Sequence, residues 1–73
     1  MHSRGFKEAN AGYLSDPRKL VGQFRRFGDA GPAYEVLRID SEDEAWIRVV
    51  FSEEELAYPI AEIVVDPIAE TIP

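Results

Sequence analysis

Histidine, the usual general base near neutral pH, occurs once, at His2. It lies in a segment that reads as a tail, so a histidine base held by an orienting carboxylate has no support. Cysteine is absent, which excludes a thiolate nucleophile, a disulfide framework and a thiolate metal site. Ser3, Ser15, Ser41, Ser52 and Thr71 fall in turns or tails without an evident base, where turn formation and capping are their ordinary work. Asp40, Glu42, Asp43 and Glu44 invite a metal reading. A calcium loop, however, needs carboxylates at alternating positions, a central glycine and a distant bidentate Glu. This cluster has no glycine and its alternation does not continue, and Glu53 to Glu55 is a plain run. Both stretches read as solvated hairpin tips that protect sheet edges. The expectation is a chain with no catalytic residue, no metal and no cofactor, and therefore not an enzyme.

Two constellations could bind instead. Phe24, Arg25 and Arg26, followed by Phe27, interleave aromatic and basic side chains, which on a small barrel can stack bases and hold phosphates. The competing and preferred reading puts Phe24 and Phe27 in the core and pairs the arginines with carboxylates. The second constellation centres on Trp46, next to Arg48 and on the opposite parity from Ala45, Ile47, Val49 and Phe51. On an open face Trp46 is an aromatic anchor of the kind enriched at interface hot spots; under a covering segment it belongs to a second small core. Tyr34 and Tyr58 extend either version, and Glu53, Glu54 and Glu55 add an acidic surface to the first.

Charge gives these sites a context. The 73 residues carry a net charge of −6, unevenly spread. Residues 1–31 hold six basic against three acidic side chains, a net of +3, and residues 32–73 hold two against eleven, a net of −9. That asymmetry points to a partner with a basic surface and disfavours duplex DNA, whose affinity comes from phosphate neutralisation. The hydrophobic share of 45% is that of a globular domain. Its hydrophobic runs, Ile63 to Val65 among them, reach no more than three residues, far short of the ~20 that span a bilayer. No apolar leader follows Arg4 and Lys7, and with cysteine missing a cytoplasmic location is expected, with no membrane partner.

The elements that would position these residues are short. Residues 1–15 read as a flexible N-terminal tail with a helical turn around Phe6 to Ala11, residues 16–67 as a single small domain, and residues 68–73 as a C-terminal tail. Leu20, Val21, Phe24 and Phe27 have helical spacing, with Asp16 to cap and Pro17 to start. Gly22 argues against a helix there, and a strand is preferred because a hairpin partner follows. Gly28 to Pro32 is a turn, Ala33 to Ile39 a strand covered on both sides or carrying a bulge, and Asp40 to Glu44 a polar turn. Ala45 to Phe51 is the clearest strand, with Ala45, Ile47, Val49 and Phe51 directed to the core. Ser52 to Glu55 turns the chain, Leu56 to Tyr58 is a fourth strand, Pro59 to Val64 one helical turn, and Asp66-Pro67 its stop. The fold expected is mainly β, a small SH3-like antiparallel barrel of four or five short strands with one late helical turn. The rival is α+β, with one helix over residues 17–27 on a three-stranded sheet.

The stretches Phe24-Arg25-Arg26-Phe27-Gly28 and Gly31-Pro32-Ala33-Tyr34-Glu35-Val36-Leu37, then Trp46-Ile47-Arg48-Val49-Val50, Tyr58-Pro59-Ile60-Ala61-Glu62-Ile63 and Asp66-Pro67, resemble a small bacterial family known as a domain of unknown function. The likeness covers about residues 21–67. It implies a bacterial source and a folded unit, and supplies no activity or site residue. The reading is a protein-interaction module, antitoxin-like or inhibitor-like, that uses an acidic surface on a basic partner. The alternatives are a single-stranded nucleic-acid-binding barrel using Phe24, Arg25 and Arg26, and a self-associating structural module, a homo-oligomer whose edge strands pair between copies.

Overall fold

Pro17 fixes its own φ and lacks an N–H to satisfy, so it starts a tight turn. In the computed structural model, which describes residues 16–69, that turn is one 3-10 turn over Pro17–Leu20. Gly22, at φ 91°, ends it in a conformation that costs any other residue strain. The segment between the turn and the first hairpin is thus divided: the 3-10 turn buries Leu20, and β1 (Phe24–Arg26) follows. Neither a continuous strand over Leu20 to Phe27 nor a helix over residues 17–27 forms, because Gly22 falls between the two halves.

Three further strands follow: β2 (Ala33–Ile39), β3 (Glu44–Val49) and β4 (Glu55–Pro59), then the single helical turn α1 (Ile60–Ile63). The four strands make one antiparallel sheet in the order β1-β2-β3-β4, so the protein is mainly β, as its alternation predicts. The Gly28 to Pro32 turn closes through Phe27 N–H to the Pro32 carbonyl at 3.1 Å. The register shifts between Val36 and Arg38, which is the bulge that the apolar residues on both parities of β2 suggest. Ser41 turns the next hairpin by accepting the N–H groups of Asp43 and Glu44 on Oγ at 3.3 and 3.2 Å.

The inner face of the sheet holds the core. Tyr34, Val36, Ala45 and Ile47 are fully buried there with Leu20, and Ile60 and Ile63 of α1, with Val64 just after it, cover them. Ala45 and Ile47 point inward as expected. Val49 is only half-buried, and Phe51 is 93% exposed, because β3 ends at Val49 and the chain turns before Phe51 can pack.

After α1 the chain returns to the far side of β1. Arg26 N–H donates to the Pro67 carbonyl and Ala69 N–H to the Phe24 carbonyl, each at 2.9 Å, with an antiparallel bridge between Arg25 and Ile68. The folded unit therefore extends past residue 67, and Ala69 is buried. The expected N-terminal tail, with His2, Ser3 and Ser15, lies outside the described residues, as does Thr71. Among the described residues, no helix is long and apolar enough to cross a membrane.

Candidate functional site

Asp66 organises the inner side. Its carboxylate accepts the Tyr34 hydroxyl at 2.7 Å and the Tyr58 hydroxyl at 3.1 Å on Oδ2, and the Gly28 N–H at 3.1 Å on Oδ1. Tyr34 and Tyr58 lie with Phe27 in an aromatic triad whose ring centroids are 4.4 to 5.4 Å apart. Burial, reinforced by the Asp66 hydrogen bond, pushes the Tyr34 hydroxyl well above the ordinary tyrosine range. The same two causes push Tyr58 up to about 12.

Arg25 closes this side. Its Nη1 donates to the carbonyls of Ile63 at 3.0 Å and Asp66 at 2.9 Å, and its Nε and Nη2 donate to Gln23 Oε1 at 3.1 and 2.8 Å. The guanidinium thus ties β1 to the end of α1, at a residue only 4% exposed.

The outer face has a different character. Phe24, Glu35, Arg48 and Glu55 are successive cross-strand partners through all four strands, and Arg38, Trp46 and Ala57 form the next row. Arg48 Nη2 meets Glu35 Oε1 at 2.6 Å, as opposite charges directly across an antiparallel pair do. The Trp46 indole N–H donates to Glu55 Oε1 at 2.7 Å, and the Arg38 guanidinium sits 5.1 Å from the indole centroid. Trp46 is half-buried, and the apolar side chains of α1 pack on the other face.

Two acidic turns bracket this face, Asp40 to Glu44 before β3 and Glu53 to Glu55 after it. The six residues of β3 hold them about 20 Å apart. In the second turn Glu53 N–H donates to the Val49 carbonyl at 2.7 Å, and Glu53 has φ 63°, the left-handed region that favours glycine. Two open concavities meet beside it. One, of about 370 Å³, is lined by Phe24, Glu35, Arg48, Val50 and Glu53. The other, of about 530 Å³, is lined by Arg26, Pro32, Ala33, Val50 and Phe51.

The structure sorts the candidate residues in a way their sequence spacing did not. Trp46, Arg48 and Glu55 come together on the outer face, with Glu53 and Glu54 at its end. Tyr34 and Tyr58 do not join them: they face inward, because the β2–β3 and β3–β4 registers put them on the core parity and Asp66 takes their hydroxyls. Arg25 is not available for phosphate either, since backbone carbonyls and Gln23 engage it from within. Those partners are the backbone carbonyls of Ile63 and Asp66 and the Gln23 side-chain amide oxygen. Phe24 leaves the core for the outer concavity, while Phe27 packs on it. Sequence reasoning missed Asp66, Phe51 and Arg38. The Asp66-Pro67 pair was a signal, but it spoke only of a helix stop. Among the described residues, no group of three or more His, Asp or Glu side chains could hold a metal ion.

No curated protein matches this chain. A family model does, and it reaches beyond the recognisable stretch on both sides, taking in the 3-10 turn and the bridge at Ile68. The chain belongs to DUF5397, a family of unknown function, whose model matches residues 13–70.

Proposed function

We propose that this chain is a non-catalytic interaction module of a bacterial cytoplasm. In this reading the outer sheet face and its acidic turns dock on a basic surface of a partner protein, in an inhibitor-like or antitoxin-like role. The observation that carries the reading is Trp46, held between Glu55 and Arg38 on the face that α1 leaves open. A large aromatic side chain already fixed in place loses little rotamer freedom on binding, which is what an interface anchor requires. The acidic turns at either end of β3 would steer a basic partner and set its orientation. Single-stranded nucleic acid fits less well, because Arg25 is committed to the fold and Glu35 and Glu53 line the concavity beside Phe24.

Capture from cell extract on the immobilised chain tests this. A basic protein should be retained at low salt, released at high salt, and lost from a Glu42→Lys, Glu54→Lys double variant, whose changes fall on exposed turn residues. Retention that ignores both salt and the double variant would contradict the reading, as would the absence of any retained protein.

A further inference from the structure

We infer that the β3–β4 turn and the neighbouring β1–β2 hairpin form a two-part groove for an extended peptide segment of a partner protein. A large apolar side chain would sit against Phe51 and a lysine or arginine would face Glu53. This rests on the docking reading above and gives it a recognition element.

The two concavities lie side by side, with Val50 lining both, and differ in chemistry. Each falls within the ~300–1,000 Å³ typical of ligand sites. The apolar half is built from Pro32, Ala33, Val50 and Phe51, and Phe51 is the most exposed large hydrophobic side chain described, at 93%. A phenyl ring left in water at a hairpin tip gains from a partner's apolar cover.

The other half selects charge. Arg48 is engaged by Glu35 at 2.6 Å, whereas Glu53 makes no ion pair or side-chain hydrogen bond among the described residues. The unanswered charge in that half is therefore negative, in keeping with the acid excess of residues 32–73.

Backbone geometry adds an independent pointer. Glu53 occupies left-handed φ, where glycine would sit without strain. The carboxylate at this strained turn position lines the first concavity. Phe51 and Glu53 stand two residues apart, and side chains on one side of an extended peptide also repeat every two residues, so the pattern tested is apolar-any-basic.

The test is amide chemical-shift mapping of the isotopically labelled chain with two capped pentapeptides, Gly-Leu-Gly-Arg-Gly and Gly-Leu-Gly-Glu-Gly, at millimolar concentration. The arginine peptide should move the signals of Val50, Phe51 and Glu53, and the glutamate peptide should not. Phe51→Ala and Glu53→Gly should each weaken the response at least fivefold. Glu53→Gly relieves the turn, so a loss there is not a loss of fold. No shift, equal shifts with both peptides, or shifts confined to other residues would overturn the groove. Partner capture that falls with Glu42→Lys, Glu54→Lys but ignores Phe51→Ala and Glu53→Gly would also overturn the groove while leaving the docking reading intact. The reverse pattern would remove that reading and leave a peptide site.

Discussion

The Tyr34 hydroxyl donates to Asp66 Oδ2 at 2.7 Å across 32 residues of chain, joining the second strand to the segment beyond α1. It is one of several contacts that bring the segment after α1 back to the sheet, and it occupies a residue that is fully buried. Domains of this size have little margin, so one such polar lock is a large share of their stability.

Replacing Asp66 with Ala leaves the Tyr34 hydroxyl buried without an acceptor and strips Tyr58 and Gly28 N–H of theirs. The cost should be about 3 kcal/mol, mostly from Tyr34, since Tyr58 and Gly28 can turn to water. Tyr34→Phe removes the donor together with the demand for an acceptor and should cost about 1 kcal/mol. Urea unfolding followed by Trp46 fluorescence measures both.

Alkaline pH should unfold the protein. Both tyrosines ionise at higher pH in the folded chain than in the unfolded one, where the ordinary value is 10.0. The stability they bring as neutral hydroxyls is therefore complete below about pH 10. It is lost as pH rises through about 12 for Tyr58, and further up for Tyr34. The urea midpoint should hold steady from pH 7 to 9 and fall above 10, with tyrosinate absorbance rising alongside; a midpoint flat through that range would refute it.

Arg25→Lys is not conservative at this position. A single ammonium cannot reach Gln23 on one side and the Ile63 and Asp66 carbonyls on the other, as the fork of Arg25 does. About 2 kcal/mol should be lost. Thermal unfolding reads this directly, and a variant as stable as the parent would mean that the guanidinium contributes no net bonding.

Gly31 stands where no side chain fits. A Cβ there would lie 2.0 Å from the Phe27 carbonyl oxygen and 2.7 Å from Phe27 Cβ, so Gly31→Ala must displace the turn that carries Phe27 into the aromatic triad. The expected cost is about 2 kcal/mol, measurable by urea unfolding.

Much of the fold was legible because strand alternation is local. Ala45 and Ile47 declared the core face of β3, the apolar residues on both parities of β2 declared its bulge, and glycine and proline marked the first hairpin. What escaped was set by distant partners or by where an element stops. Phe51 has the core parity of β3, but the turn begins at Val50, and periodicity carries no stop signal there. Tyr34 and Tyr58 have the composition of interface residues; only Asp66, brought back by α1 from far along the chain, makes them internal. The partners of Arg25 escaped for the same reason: they are carbonyls of residues 63 and 66, where its spacing pointed to carboxylates first and to phosphate second. That Trp46 and Arg48 lie on the face opposite Ala45 and Ile47 was legible, because strand parity alone decides it.

The division between an inward tyrosine pair and an outward tryptophan is the core of this account. The most direct test is the dissociation constant of a captured basic partner for two variants, Trp46→Ala and Tyr58→Phe. Losing a hot-spot tryptophan should weaken binding about 30-fold, roughly 2 kcal/mol, whereas Tyr58→Phe, altered only behind the sheet, should stay within about twofold. Binding that survives Trp46→Ala unchanged, or that falls with Tyr58→Phe while the variant remains folded, would contradict the assignment of the outer face as the docking surface.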